Sequence, residues 1–102
     1  MTEAEFRALV KDRMTDAGWT VLLDLSDRRR SPPGAKGAPD ILFVTHQDIL
    51  VWFEAKAPGK KRRADQLAWH EKVQPHLRTW HRYVVAATWE EWLDAIHDLL
   101  KE

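Results

Sequence analysis

The 102-residue chain has no cysteine and no asparagine, four glycines and a single tyrosine. Without cysteine there are no disulfides, no thiolate zinc sites and no iron–sulfur clusters, and the composition fits a reducing compartment. No apolar run approaches the roughly 18–20 residues that span a bilayer. The opening Met1-Thr2-Glu3-Ala4-Glu5 lacks the basic-then-apolar pattern of a secretion signal. The expectation is a cytoplasmic protein with no membrane partner. No glycine-rich loop of the nucleotide-binding kinds is present, so no nucleotide cofactor is expected. Five histidines (His46, His70, His76, His81, His97) include no pair at i, i+4, which argues against a helical zinc site.

What is there is ordinary for a soluble globular chain, with 44% apolar and 31% charged residues. The length predicts one domain, 1–102, around one modest core. Net charge is zero, but it is unevenly spread. Residues 28–63 carry nine basic residues (Arg28, Arg29, Arg30, Lys36, Lys56, Lys60, Lys61, Arg62, Arg63) against three acids, out of sixteen of each in the chain. A neutral protein with a basic middle presents a local field to a polyanion, although charge runs are commonly just solvated loops.

Hydrophobic spacing sets out the elements. Phe6, Leu9, Val10, Met14 and Ala17 recur at helical spacing, with Thr2 and Glu5 as a capping box and Gly18 as a stop. Trp19–Leu25 reads as a strand, and Ser26–Pro39 as an Arg-, Pro- and Gly-rich loop. Ile41–Val44 and Ile49–Phe53 read as a hairpin joined through Thr45–Asp48. A second basic loop turns at Pro58-Gly59. A helix from Ala64 to about Gln74, carrying Leu67 and Val73 inward, is limited by Pro75. Arg82–Ala87 is the last strand. Thr88 and Glu91 open a final helix whose inner side is Trp92, Ile96, Leu99 and Leu100. Trp19, Trp52 and Trp92 fit core positions; Trp80 and Trp89 could stack on bases, although core or partner packing is the commoner role for such residues. The order α-β-β-β-α-β-α, with a helix between the third and fourth strands, predicts an α/β protein. Its central sheet would be mixed, of about four strands, with helices packed against it.

The hairpin carries charges where burial makes them costly. A four-residue turn sets Asp40 opposite Phe53, one residue short of Glu54, so both carboxylates fall at the same end. Side chains alternate along a strand, so Glu54 and Lys56 share a face. Taken singly, Asp40 is a turn residue after Pro39, and Glu54 and Lys56 a weak pair on an exposed strand end. Together they make a hard, oxygen-rich site next to two basic loops. Such a site suits Mg²⁺ or Mn²⁺, which can activate water and stabilise charge on a phosphate.

Gly37-Ala38-Pro39-Asp40, then Glu54-Ala55-Lys56, then Gln66, resembles the PD-(D/E)xK nuclease superfamily. More closely, the chain is similar to the VRR-NUC family of small stand-alone nuclease domains, including virus-encoded ones. Thr2 to Phe6, Gly18-Trp19, Asp27 to Ser31 and Trp69 extend the likeness over nearly the whole chain. The resemblance implies a restriction-endonuclease-like fold and a bacterial or virus-infected host cell. It implies that Asp40 and Glu54 bind the divalent metal, with the Ala55 carbonyl as a further ligand. Lys56 would position the attacking water, and Gln66 would hold metal-bound water or Lys56. A glutamate of the first helix would complete the site. Glu5 already has a place in the capping box, and Glu3 shares the helix face of Phe6 and Val10, which favours Glu3. The chain departs from the family at Arg63-Ala64, where Ser or Thr followed by Pro is common, and at Gln74-Pro75, where a glycine is.

The function expected is a metal-dependent DNA endonuclease, with the Arg28–Arg30, Lys36 and Lys60–Arg63 positions gripping the backbone. Phosphate contacts carry little base information, so preference would be for branches, flaps or junctions. A homodimer with two active sites would cover a branched substrate. The rivals are a non-catalytic DNA-binding module on the same fold, and an RNA-directed nuclease.

Overall fold

In a computed structural model, described for residues 1–26, 37–78 and 81–100, helix α1 runs over Glu3–Asp16. The expected capping box starts it. The Thr2 hydroxyl accepts from the Glu5 amide, and the Glu5 carboxylate accepts from the Thr2 amide. Strand β1 (Thr20–Asp24) follows, then β2 (Ile41–Val44), β3 (Leu50–Ala55), α2 (Ala64–Val73), β4 (His81–Ala86) and α3 (Trp89–Ile96). Short 3₁₀ turns follow α2 at Gln74–His76 and α3 at His97–Leu100. The α-β-β-β-α-β-α order is the one expected. Arg28, Arg29, Arg30, Lys36 and Trp80 lie outside the described residues.

The sheet is mixed, in the order β1-β2-β3-β4. The pairs β1–β2 and β2–β3 are antiparallel, and β3–β4 is parallel. A parallel pair needs a crossover, and α2 supplies it. Alternation along β3 sends Val51, Phe53 and Ala55 to one face and Trp52 and Glu54 to the other. On the first face α1 and α3 close the main core. Phe6, Val10 and Met14 meet Ile41, Phe43, Phe53, Trp92 and Ile96 there, all nearly or fully buried. Trp92 anchors this core, with its ring centroid 4.7 Å from that of Phe53 and its Nε1 donating to the Met14 sulfur. Each such side chain contributes about 1.5–3 kcal/mol by leaving water. On the second face α2 docks through Trp69, 5.2 Å from Trp52 and 6.1 Å from Tyr83.

Several local expectations need correction. The hairpin connection is five residues, not four. The Thr45 amide donates to the Ile49 carbonyl, the Thr45 hydroxyl accepts from the Gln47 and Ile49 amides, and Asp48 takes φ 63°. Asp tolerates that left-handed conformation through its short polar side chain. The longer turn moves the register by one residue, so Ile41 faces Phe53 and Leu42 faces Trp52. Asp40 then stands level with Glu54 rather than one step away. Leu67 is 48% exposed instead of inward, because the docking of Trp69 turns the Gln66, Trp69, His70 and Val73 side of α2 to the sheet. Trp52 is only half-buried and Leu100 is exposed. At α3 the Thr88 hydroxyl caps the Glu91 amide, but the Glu91 carboxylate reaches the Ala87 amide, one residue beyond a true capping box.

Gly37 ties the approach to β2 against α2. Its φ is +84°, and a Cβ there would lie 2.1 Å from the Asp65 carbonyl oxygen. Only glycine allows this approach. It brings the Gly37–Asp40 segment against the first turn of α2, where Gln66 sits.

Candidate active site

The ends of β2 and β3 bring together the charged groups singled out in the sequence. Asp40 is 7% exposed, Glu54 0%, Lys56 9% and Gln66 4%. The Asp40 carboxylate is held from two sides. Its Oδ2 accepts from the Ala55 amide at 2.9 Å, and its Oδ1 lies 3.8 Å from the Arg7 guanidinium. Glu54 Oε2 lies 3.9 Å from the Lys56 ammonium. The Lys56 amide donates to the Ala86 carbonyl at 3.0 Å, which extends the parallel ladder and fixes the lysine backbone. Gln66 reaches back from α2 to accept from the Arg63 amide at 2.8 Å. With Arg63 in place of a Ser or Thr cap, this bond from Gln66 satisfies one of the helix's first donors.

Lys56 stands where two cavities meet. On the α2 side, a groove of about 500 Å³ is lined by Lys56, Lys60, Lys61, Arg62, Leu67 and Val85, among others. The Pro58-Gly59 turn shapes its rim, with Gly59 at φ +81° and the Lys60 amide bonded to the Ala57 carbonyl. On the α1 side, a pocket of about 290 Å³ is lined by Glu3, Phe6, Lys56, Pro58 and Trp89, among others. Glu3 is half-buried there, while Glu5 is exposed and engaged in the cap. Among the described residues, no three His, Cys, Asp or Glu side chains are grouped closely enough to hold a metal ion together. Glu3 therefore does not join Asp40 and Glu54 in a three-carboxylate cluster. Two carboxylates and a backbone carbonyl are still a hard oxygen set of the kind Mg²⁺ and Mn²⁺ use, since Mg²⁺ keeps several waters.

Two residues that sequence reading missed belong to the site's surroundings. Arg7 lies four residues after Glu3 on α1, and that i, i+4 spacing was the available signal. Tyr83 on β4 faces Trp52 across the parallel ladder. Its hydroxyl is buried with no well-formed hydrogen bond. Burial, then the negative charge of Glu54, push its ionisation up to about 12, against the opposing pull of Arg62. His70 is half-buried and stacked on Tyr83. Trp89 is half-buried under the Arg13 guanidinium, 4.5 Å from its ring centroid. No helix among the described residues is long and apolar enough to cross a membrane.

No family model matches the sequence, and no curated protein matches it. Comparison with solved structures does find likeness. A structure titled "VRR_NUC domain" superposes with a TM-score of 0.67 at 24% identity, covering 94% of this chain and 94% of that one. The likeness therefore spans nearly the whole length of both chains. The chain has the fold of a VRR_NUC domain, the restriction-endonuclease-like architecture that its PD…ExK residues imply.

Proposed function

We propose that the protein is a divalent-metal-dependent endonuclease that hydrolyses phosphodiester bonds in DNA. The observation that carries this reading is the burial of Asp40, Glu54 and Lys56 together at one end of the hairpin. Burying ionic groups costs several kcal/mol each, and apolar residues of similar volume commonly serve stability as well or better. A chain with no chemistry to perform has no need of the buried Glu54–Lys56 pair beside Asp40, which speaks against a purely DNA-binding module. The fold likeness to a nuclease domain supports the same reading.

Asp40 and Glu54, with the Ala55 carbonyl, would hold Mg²⁺ or Mn²⁺. When bound, such an ion acidifies water and neutralises charge on the phosphate. The chain's own residues do the rest. The Ala55 amide and Arg7 fix the Asp40 carboxylate. Lys56, its ammonium beside Glu54, orients the attacking water and offsets charge on the phosphorane-like transition state. Gln66 and Glu3 approach from opposite helix layers and order water around Lys56. Lys60, Lys61, Arg62 and Arg63, with Arg28–Arg30 and Lys36, grip the backbone. Water adds across the P–O bond; it loses a proton as it attacks, and the leaving oxygen takes one up. With no groove-reading element among the described residues, preference is for DNA structure (branch, flap or junction) and a homodimer supplies the second active site.

Incubation with linear, flapped and four-way-junction DNA and matched RNA, under Mg²⁺, Mn²⁺ or EDTA, tests the reading. Asp40→Asn and Lys56→Ala run alongside with their folding checked by circular dichroism. Metal-dependent cleavage lost in both folded variants is expected. Binding without cleavage of any substrate would leave the DNA-binding module as the better account, and cleavage confined to RNA would reassign the substrate.

A further inference from the structure

Besides Lys56, four basic side chains stand between β3 and α2, and they are not alike. Lys60, Lys61 and Arg63 are exposed, whereas Arg62 is half-buried. Its Nη1 lies 2.9 Å from Nδ1 of His70. A guanidinium only donates, so His70 must accept at Nδ1. The His70 ring lies flat on Tyr83, centroids 4.0 Å apart and planes within 5°. The Arg62 guanidinium carbon is 5.7 Å from the same Tyr83 centroid. Arg62 is thus held at two points, one on α2 and one on β4. The Tyr83 hydroxyl feels the charges of Glu54, Asp40 and Arg62 alike. Arg62 and Lys56 both line the basic groove.

We infer that His70 and Tyr83 are positioning residues that hold Arg62 as a preorganised phosphate clamp beside the Asp40–Glu54–Lys56 cluster. The inference rests on the nuclease reading and deepens it. Lys60 and Lys61 act as loosely held point charges. Arg62 presents a planar fork in fixed geometry, with the donors not engaged by His70 left for a phosphodiester oxygen pair. An arginine already fixed loses less freedom when DNA arrives, so its contribution to binding per charge is larger.

The test is a pair of double-variant cycles. Binding of flapped DNA is measured by fluorescence anisotropy in EDTA at several salt concentrations, with melting temperatures for every variant. Arg62→Ala is expected to weaken binding about tenfold and to reduce the slope of log affinity against log salt by about one. His70→Ala is expected to weaken it by a large part of that, because Arg62 loses its anchor. On the His70→Ala background, Arg62→Ala then costs only about twofold, while Lys60→Ala costs the same on either background. His70→Asn, which keeps an acceptor near the Nδ1 position, recovers most of the affinity. Additive losses for Arg62→Ala and His70→Ala would overturn the inference. So would affinity in the His70 variants that simply follows their melting temperatures, with no recovery in His70→Asn. Either result alongside intact metal-dependent cleavage leaves the nuclease reading standing. Absence of DNA binding and cleavage in the unaltered protein removes both.

Discussion

Glu54 and Lys56 form a pair whose value is best measured by removing it. Their charged atoms are 3.9 Å apart, and the side chains are 0% and 10% exposed. At an effective dielectric near 20, that separation corresponds to about 4 kcal/mol of attraction. Against it stands the desolvation of two ions, several kcal/mol for each, and the Asp40 carboxylate level with Glu54 adds repulsion. The pair is therefore close to neutral or net costly for stability. Breaking it from one side is worse, because a buried charge then loses its counter-charge. Glu54→Gln and Lys56→Met are each expected to lower stability by about 3–5 kcal/mol. The double variant, apolar or neutral at both positions with nearly conserved volume, is expected to regain that loss and to exceed the unaltered protein by about 1–3 kcal/mol. For a chain of this size each kcal/mol moves the melting temperature by about 4–8 °C. Thermal and urea unfolding of the four proteins in EDTA would measure the cycle. Added Mn²⁺ should raise the melting temperature of the unaltered protein, by mass action, and leave the double variant unmoved. A double variant less stable than both single ones would refute the reasoning, because the pair would then serve the fold rather than the chemistry.

Three further outcomes follow from other contacts. Gly37→Ala forces a side chain onto a left-handed backbone and against the Asp65 carbonyl, so a loss of more than about 2 kcal/mol is expected in urea unfolding. Partial burial raises the Asp24 carboxyl, but hydrogen bonds from Lys11 and Ser26 more than reverse this and bring it to about 2, below its ordinary 3.8. Its contribution is present above pH 3.8 and is lost as pH falls through 2. Lys11→Met should flatten that acid limb of the stability profile, by no more than about 1 kcal/mol for a partly solvated pair. Tyr83 is the sole tyrosine, so its tyrosinate absorbance titrates one group, with a midpoint near 12 against an ordinary 10. The raised value means that stability holds below pH 10 and falls as pH rises towards 12, and Tyr83→Phe should remove that alkaline slope.

The strength of the sequence signal follows the physical range of each interaction. The α1 capping box is a contact three residues long, and Thr2 and Glu5 declare it. The mixed sheet is legible because a helix between two strands demands a parallel pairing. The hairpin register was missed by one residue because Ile49 reads as strand by composition. It is instead held in the turn by the Thr45 hydroxyl, a side-chain contact with no periodic signature. The inward face of α2 was misread at Leu67 for a similar reason. The rotation of that helix is set by Gly37 and Trp52, both distant in sequence. At the site, Asp40, Glu54, Lys56 and Gln66 were legible as a motif and are buried in the structure. Arg7 and the His70–Tyr83 stack were not, since each depends on which helix lies over which strand end.

The bond from the Ala55 amide to the Asp40 carboxylate gives one side chain two employers. It closes the last rung of the β2–β3 ladder while belonging to the cluster proposed to hold the metal. A lineage that abandoned the chemistry would still be held to Asp or Asn at this position by the sheet alone. Retention of Asp40 is therefore a poor guide to activity among distant relatives, whereas Lys56, whose ammonium closes no rung of the ladder, is the position whose loss would record that the chemistry had been given up.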